Sequence, residues 1–472
     1  MHFIRVLKIA SAFVFTVLFF AAQATQAGPV VAPISAPLVA YATDLEGSRM
    51  RFELFMQKSE AFYKGTDGRF HLKPEAQFVF GGDAVDRFLG GKWVVSELVR
   101  LKRETPSRVA LIVGNRDLNK ISFTSELSPA ALLLPPVRIP GSSQRRWLEH
   151  NKPESRAERL SYILGNTWWK EGFQLRRKEL AQDRGISEAA FSDDDVAKDF
   201  LEELGPGGAF RAFLELGELG HRIGNTLFVH GGITHENYGY VPGATVKQDQ
   251  ASNANSNNDS NVSIEAWILE LNSWYHTQVR EWTRQSPWSG ITPRPEQALL
   301  DYPLSDLTSV VTGVNTDDLI NQHLPRADVV GKLLAQGIRR LVVGHQPSVH
   351  FPQIVRSLDD RFEVVAGDTS YASDEAAVAV IHFTGINLEH TSIRGRVLLG
   401  TGLPSDVAIE ASAEVTLGKK TPIGKRVDAG LLIAQNTENT DEYVRFEYLP
   451  KYQTVTDLVS ESCLKNLVTA PK

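Results

Sequence analysis

A single cysteine among 472 residues, Cys463, excludes an intrachain disulfide and a thiolate metal cluster, so packing alone must hold the core. No activating neighbour accompanies that thiol in the sequence, which therefore reads as packed or incidental rather than nucleophilic. The chain also lacks a basic excess. Fifty Lys and Arg against 56 Asp and Glu leave a formal charge of −6, which gives no footing for non-specific nucleic-acid binding. The short basic pairs Arg145-Arg146 and Arg176-Arg177-Lys178 lie in polar, helical-looking sequence and read as solvated helix faces. The apolar run Ile9–Ala22 follows Arg5 and Lys8 and precedes small residues. It is too short to span a bilayer comfortably and fits the core of a secretory signal, with cleavage after Ala24 or Ala27. Residues 1–27 are accordingly expected to be a signal peptide, and the mature protein secreted or periplasmic with no stable membrane anchor. The competing reading is an uncleaved anchor.

What is present is ordinary globular material: 42% hydrophobic and 22% charged residues, enough for a large core. One pattern recurs. A short β-rich apolar run ends abruptly in glycine and polar residues: "LVAYATDLEG" (38–47), "FVFGGDAVDR" (78–87), "ALIVGNRD" (110–117), "LFVHGGIT" (227–234), "LVVGHQPS" (341–348) and "VVAGDTSY" (364–371). Continuous apolar runs bounded by glycine predict strands buried on both faces. Polar residues at their ends follow the α/β habit of placing ligands at strand carboxyl ends.

Helical patterns lie between them. "GKWVVSELVRLKRET" (91–105) has apolar residues at three- and four-residue spacing, and "SDDDVAKDFLEELG" (192–205) opens on a Ser N-cap with an acidic first turn. Residues 263–282 and 326–337 also predict helices. The stretch from about 125 to 225 reads as a helical insertion after the third strand, and 247–261 as a mobile loop without apolar residues beyond alanine. From 385 to 472 apolar and polar residues alternate between Gly and Pro turns, predicting a β-rich C-terminal extension.

Singly, each strand-end motif is weak. In order they read Asp44-x-Glu46, Gly-Asp83-x-x-Asp86-Arg87, Gly-Asn115-Arg116-Asp117, His230-Gly-Gly and Gly-His345. This series resembles the calcineurin-like metallophosphoesterases, whose ordered signature is D-x-H, G-D-x-x-D-R, G-N-H-D/E, H and G-H. "GGDAVDR" is similar to the corresponding block of the phosphoprotein (Ser/Thr) phosphatase branch. "GHQPSVH" lacks the G-H-x-H of many phosphodiesterase-type relatives, which favours the same branch; His350 reads as structural.

The resemblance covers roughly residues 38–370 and implies an α/β fold of four αββα layers, two central sheets with helices outside, over residues 28–384. It implies a phosphoric monoester hydrolase with two divalent ions. Asp83 would bridge them, Asp44 and Glu46 would complete the first site, and Asn115, His230 and His345 the second. Arg87 would bind phosphate oxygens, with Asp86 orienting the group at position 116 and Asp117 anchoring the turn. The implied substrate is a phosphorylated protein or a small phosphomonoester.

Two departures stand out. Glu46 replaces the histidine of D-x-H, making the first site an all-oxygen set that suits Mn²⁺ or Mg²⁺, with Ca²⁺, iron and Zn²⁺ as alternatives. Arg116 replaces the histidine that the family uses as general acid. An arginine keeps its proton at any accessible pH, so it can neutralise phosphoryl charge but cannot protonate a leaving group. His221 and His235, flanking His230, are candidate stand-ins. A metal- and phosphate-binding pseudophosphatase, or a phosphodiesterase or nucleotidase of the same superfamily, are the alternative readings.

Overall fold

The computed structural model describes residues 37–462, except 135–154, 166–170, 244–262, 292, 306, 318–320, 349, 373–377, 401–406, 427–430 and 450–452. The expected signal peptide (1–27) and the loop 247–261 lie outside the described residues.

Two sheets form the centre. The first has nine strands, three of which, Leu38–Ala42, Ala76–Phe80 and Val109–Leu111, run parallel with Leu38 opposite Ala76 and Phe78 opposite Val109. The second has six strands. At its middle Thr226–Val229, Arg340–Val343 and Glu363–Ala366 are also parallel. Each of the six apolar runs is therefore a strand, and the six divide three and three between the sheets.

Period-two alternation explains the layering. Val39, Tyr41, Val79 and Ala110 from the first sheet pack against Phe228, Val342, Ile354 and Val365 from the second. Tyr41 and Phe383 flank the Phe228 ring, each with its centroid 5.8 Å away. The intervening residues Ala40, Ala42, Phe78 and Phe80 face the other way. There the helices Arg49–Lys58 and Gly91–Glu104 cover them with Phe52, Phe55, Val94 and Leu98. Each such large side chain contributes about 1.5–3 kcal/mol by burial. On the outer face of the second sheet, Ala327–Ala335 and Ile264–Gln285 supply Leu333 and Ile268. The architecture is the layered α/β fold that the resemblance implies. No helix among the described residues is long and apolar enough to cross a membrane.

After the third strand the chain forms helices Arg156–Gly165, Gly172–Arg184, Asp193–Leu204 and Ala209–Leu216. Ser192 and Asp195 make a capping box at the third of these. Charge fixes the group to the core: Lys92 Nζ lies 2.7 Å from Asp199, and Glu179 accepts the backbone N–H of Gly90 at 2.7 Å. Phe213 packs edge-on against Phe80. The helical segment thus docks beside the loop that carries Asp86 and Arg87.

The alternating C-terminal sequence forms antiparallel strands. His390–Leu398 pairs with Val380–Thr384, and Ala408–Thr416, Leu431–Asn436, Glu442–Leu449 and Gln453–Ser460 follow outward. They continue the edge of the first sheet.

Candidate metal centre

The nominated residues end up just past the carboxyl ends of the central strands, on loops except for Asn115, Arg116 and Asp117, which lie in the helical turn Asn115–Asn119. Backbone strain marks the place. Among the described residues seven non-glycine positions have positive φ, and five of them are Asp44, Glu46, Asp83, Asp86 and His345. Such conformations cost roughly 1–3 kcal/mol each and persist where the surroundings over-determine them.

The glycines before Asn115 and His345 have a steric reason. A Cβ on Gly114 would stand 2.0 Å from Asp83 Oδ1, and one on Gly344 would stand 2.3 Å from Asp44 Oδ2. Neither contact is tolerable, so the carboxylates reach their positions only because these two residues have no side chain.

Two groups of ligand atoms result, each within 4.8 Å of one another: Asp44, Glu46 and Asp83; and Asp83, His230 and His345. Asp83 belongs to both. Asn115 joins the second group, with its Oδ1 3.2 Å from His230 Nε2 and 3.1 Å from His345 Nδ1. His230 Nδ1 donates to Gly81 O at 2.8 Å, which leaves Nε2 facing Asp83 Oδ1 at 3.3 Å. Asp44 is held by Thr43 Oγ1 at 2.6 Å and by the N–H of His345 at 3.2 Å. Asp117 is the anchor of the turn: its carboxylate accepts the backbone N–H groups of Asp83, Ala84 and Gly114, each at 2.9 Å.

The electrostatics are those of crowded, buried negative charge. Burial and the neighbouring Asp368 push the Asp44 carboxyl well above its ordinary range. Burial takes Glu46 up to about 8 despite the pull of Arg116 and Arg87. Burial opposes a charge on His230, but Asp83 outweighs it and raises the imidazole to about 10. Burial and the charge of His230 hold His345 down at about 3. Asp83 stays below the usual carboxylate range because His230, Arg116 and His345 overcome its burial. A cation among these oxygens and nitrogens would remove the excess, releasing the proton from His230. The donor set fits divalent ions.

The two arginines converge on the first group. Arg116 Nη1 lies 3.2 Å from Glu46 Oε2, and its Nε 3.4 Å from Asp83 Oδ2. Arg87 Nε is 3.5 Å from the same Glu46 oxygen; its Nη1 donates to Ser370 O at 3.0 Å, and its guanidinium covers the Tyr371 ring at 4.1 Å.

One expected pairing is corrected. Asp86 does not hold Arg116: its carboxylate is taken by Lys120, whose Nζ lies 2.7 and 2.8 Å from the two oxygens. The helical turn Asn115–Asn119 points the Arg116 side chain towards Glu46 and brings Lys120 round to Asp86. His221 and His235 pair with Glu218 and Asp328, at 3.0 and 2.6 Å.

Sequence reasoning missed Lys120, Asp368 and Arg51. Lys120 sits four residues after Arg116, one helical turn on, and that spacing was the available signal. Asp368 closes the sixth strand-end motif; it is buried, accepts the Ser370 N–H at 2.8 Å, and adds a fourth carboxylate beside Asp44 and Glu46. Arg51 is buried nearby and donates to Thr369 O at 2.8 Å.

No family model matches the chain, and no curated protein matches it in sequence. Among solved structures it is similar to the cold-active protein-tyrosine phosphatase of a psychrophilic Shewanella species, at 13% identity over 80% of each chain with a TM-score of 0.41. It is also similar to a protein serine/threonine phosphatase from Saccharomyces cerevisiae, at 12% identity over 82% of each chain with a TM-score of 0.34. At such identities and scores these neighbours assign no activity to this chain.

Proposed function

We propose that this protein is a metal-dependent phosphoric monoester hydrolase with a dinuclear centre, exported from the cytoplasm. One observation carries the reading: two oxygen-and-nitrogen donor groups share the Asp83 carboxylate, with two guanidinium groups beside them. Divalent ions bound there would supply Lewis acidity to a phosphoryl oxygen and a water ionised near neutral pH. Asp44, Glu46 and Asp83 would hold one ion, and Asp83, Asn115, His230 and His345 the other, with Mn²⁺ or Mg²⁺ suited to the oxygen-rich set.

The chain's own residues do the remainder. Arg87, half-buried at the edge of the site, presents a planar fork that suits two phosphate oxygens. Arg116 places permanent positive charge where charge develops in phosphoryl transfer. It cannot donate a proton, because burial is outweighed by Glu46 and Asp83 and its pKa is raised further. The substrates expected are therefore monoesters whose leaving groups need little protonation, such as aryl phosphates or phosphotyrosine.

The test is turnover of an aryl monoester and an aryl diester by purified protein with Mn²⁺, Mg²⁺ or Ca²⁺. Monoester turnover that disappears in Asp83→Asn supports the reading. Preferential diester turnover would move the protein to phosphodiesterases, and tight metal binding without turnover would make it a pseudophosphatase. Export rests on Arg5, Lys8 and the run Ile9–Ala22; sequencing the mature N-terminus should return Thr25 or Gly28, and an intact Met1 would overturn it.

A further inference from the structure

The two donor groups are unequal in the guanidinium groups that already face them. In the first, Arg116 contacts Glu46 Oε2 at 3.2 Å and Asp83 Oδ2 at 3.4 Å, and Arg87 adds a contact of 3.5 Å to that same Glu46 oxygen. In the second, Asp83 Oδ1, Asn115 Oδ1, His230 Nε2 and His345 Nδ1 face one another at 3.1–3.3 Å. Arg116 is not a loose surface side chain. It is 12% exposed, its N–H donates to Asp83 Oδ1 at 3.0 Å, and its carbonyl accepts from Lys120 Nζ at 3.0 Å. The residue is therefore tied by its backbone to the shared carboxylate while its guanidinium lies across the first group.

We propose that Arg116 is the built-in counter-cation of the Asp44–Glu46–Asp83 group, so that the protein holds one divalent ion tightly at Asp83–Asn115–His230–His345 and a second ion weakly and exchangeably. This rests on the metal-centre reading above. An arginine keeps its charge at every accessible pH, so an ion entering the first group must share Glu46 Oε2 with two guanidinium groups or push Arg116 aside. Either way like charges meet in a buried place, where screening is weak. A neutral histidine at position 116 would impose no such penalty. The substitution thus trades a proton donor for a fixed charge, and the affinity of the first group falls with it. Filling of that group becomes dependent on free metal concentration.

The experiment is Mn²⁺ binding to the full mature chain, by equilibrium dialysis with metal analysis and by electron paramagnetic resonance. Wild-type protein should bind one Mn²⁺ with an isolated six-line spectrum, the second ion entering only at free Mn²⁺ on the order of tenfold higher or more. Arg116→Gln should bind two, with a spin-coupled spectrum, while Arg116→Lys, which keeps the charge, should behave as wild type. Two equally tight ions in wild-type protein, or no gain in Arg116→Gln that circular dichroism shows to be folded, overturns the proposal and leaves the metal-centre reading standing. Wild-type protein that binds no Mn²⁺ overturns both. The wild-type stoichiometry decides even where Arg116→Gln does not fold.

Discussion

Lys120 Nζ sits between the two carboxylate oxygens of Asp86, at 2.7 and 2.8 Å, with both side chains buried. The same ammonium donates to Arg116 O at 3.0 Å and to Asn119 Oδ1 at 2.7 Å. It joins the loop of Asp86 and Arg87 to the turn of Asn115 and Arg116, so one buried ion pair spaces two of the motifs.

Removing one partner leaves the other charge buried and alone. Lys120→Met or Asp86→Asn should each destabilise the protein by about 3–5 kcal/mol, and the double variant by clearly less than their sum. Urea unfolding of the four proteins measures this cycle. Additive losses would show that the pair does not couple.

Arg116 predicts a kinetic signature. Without an acid at that position, kcat/KM across substituted phenyl phosphates should fall steeply as leaving-group pKa rises, and Arg116→His should flatten the slope. A wild-type rate indifferent to leaving-group pKa would mean that some other group protonates the leaving oxygen.

Chelation should destabilise the fold as well as the activity, because crowded carboxylates lose their compensation. Returning Mn²⁺ at 100 times its dissociation constant should restore about 3 kcal/mol. Thermal unfolding before and after dialysis against a chelator checks this; an unchanged transition would show that no ion contributes to stability.

His382 gives a pH dependence away from the centre. Its Nε2 meets Ser59 Oγ at 2.8 Å, and burial holds its pKa down to about 4. The fold keeps this imidazole neutral, whereas the unfolded chain protonates it near 6.5. Its contribution is therefore complete above about pH 6.5 and is lost as pH falls towards the folded value. Between pH 7.5 and pH 5 wild-type protein should lose about 2 kcal/mol more than His382→Gln. Equal losses in urea titrations at the two pH values would remove His382 as the cause.

Much of the candidate site was legible because its signals are local. An apolar β-rich run followed by glycine and a carboxylate, amide or imidazole needs only a few residues to be recognised. The structure places Asp44, Asp83, Asn115, His230 and His345 just past such strands, and Gly82, Gly114 and Gly344 leave room where a Cβ would meet His230, Asp83 and Asp44. Helices were readable for the same reason: Ser192 caps Asp193–Leu204, and Gly91–Glu104 carries the expected apolar stripe.

Residue types and their order along the chain were thus determined by the sequence alone, down to the arginine at position 116. Direction in space was not. Alternation at the C-terminus predicts antiparallel strands, but period two is silent about which edge they join, and only packing set His390–Leu398 against Val380–Thr384. Likewise the three-plus-three division of strands depends on which apolar faces meet across the Tyr41–Phe228–Phe383 contact. The Arg116 side chain could have turned to Asp86, to solvent or to Glu46. The tertiary fold decided it, because Lys120 already occupies Asp86 while Glu46 and Asp83 offer the guanidinium a concentrated negative field.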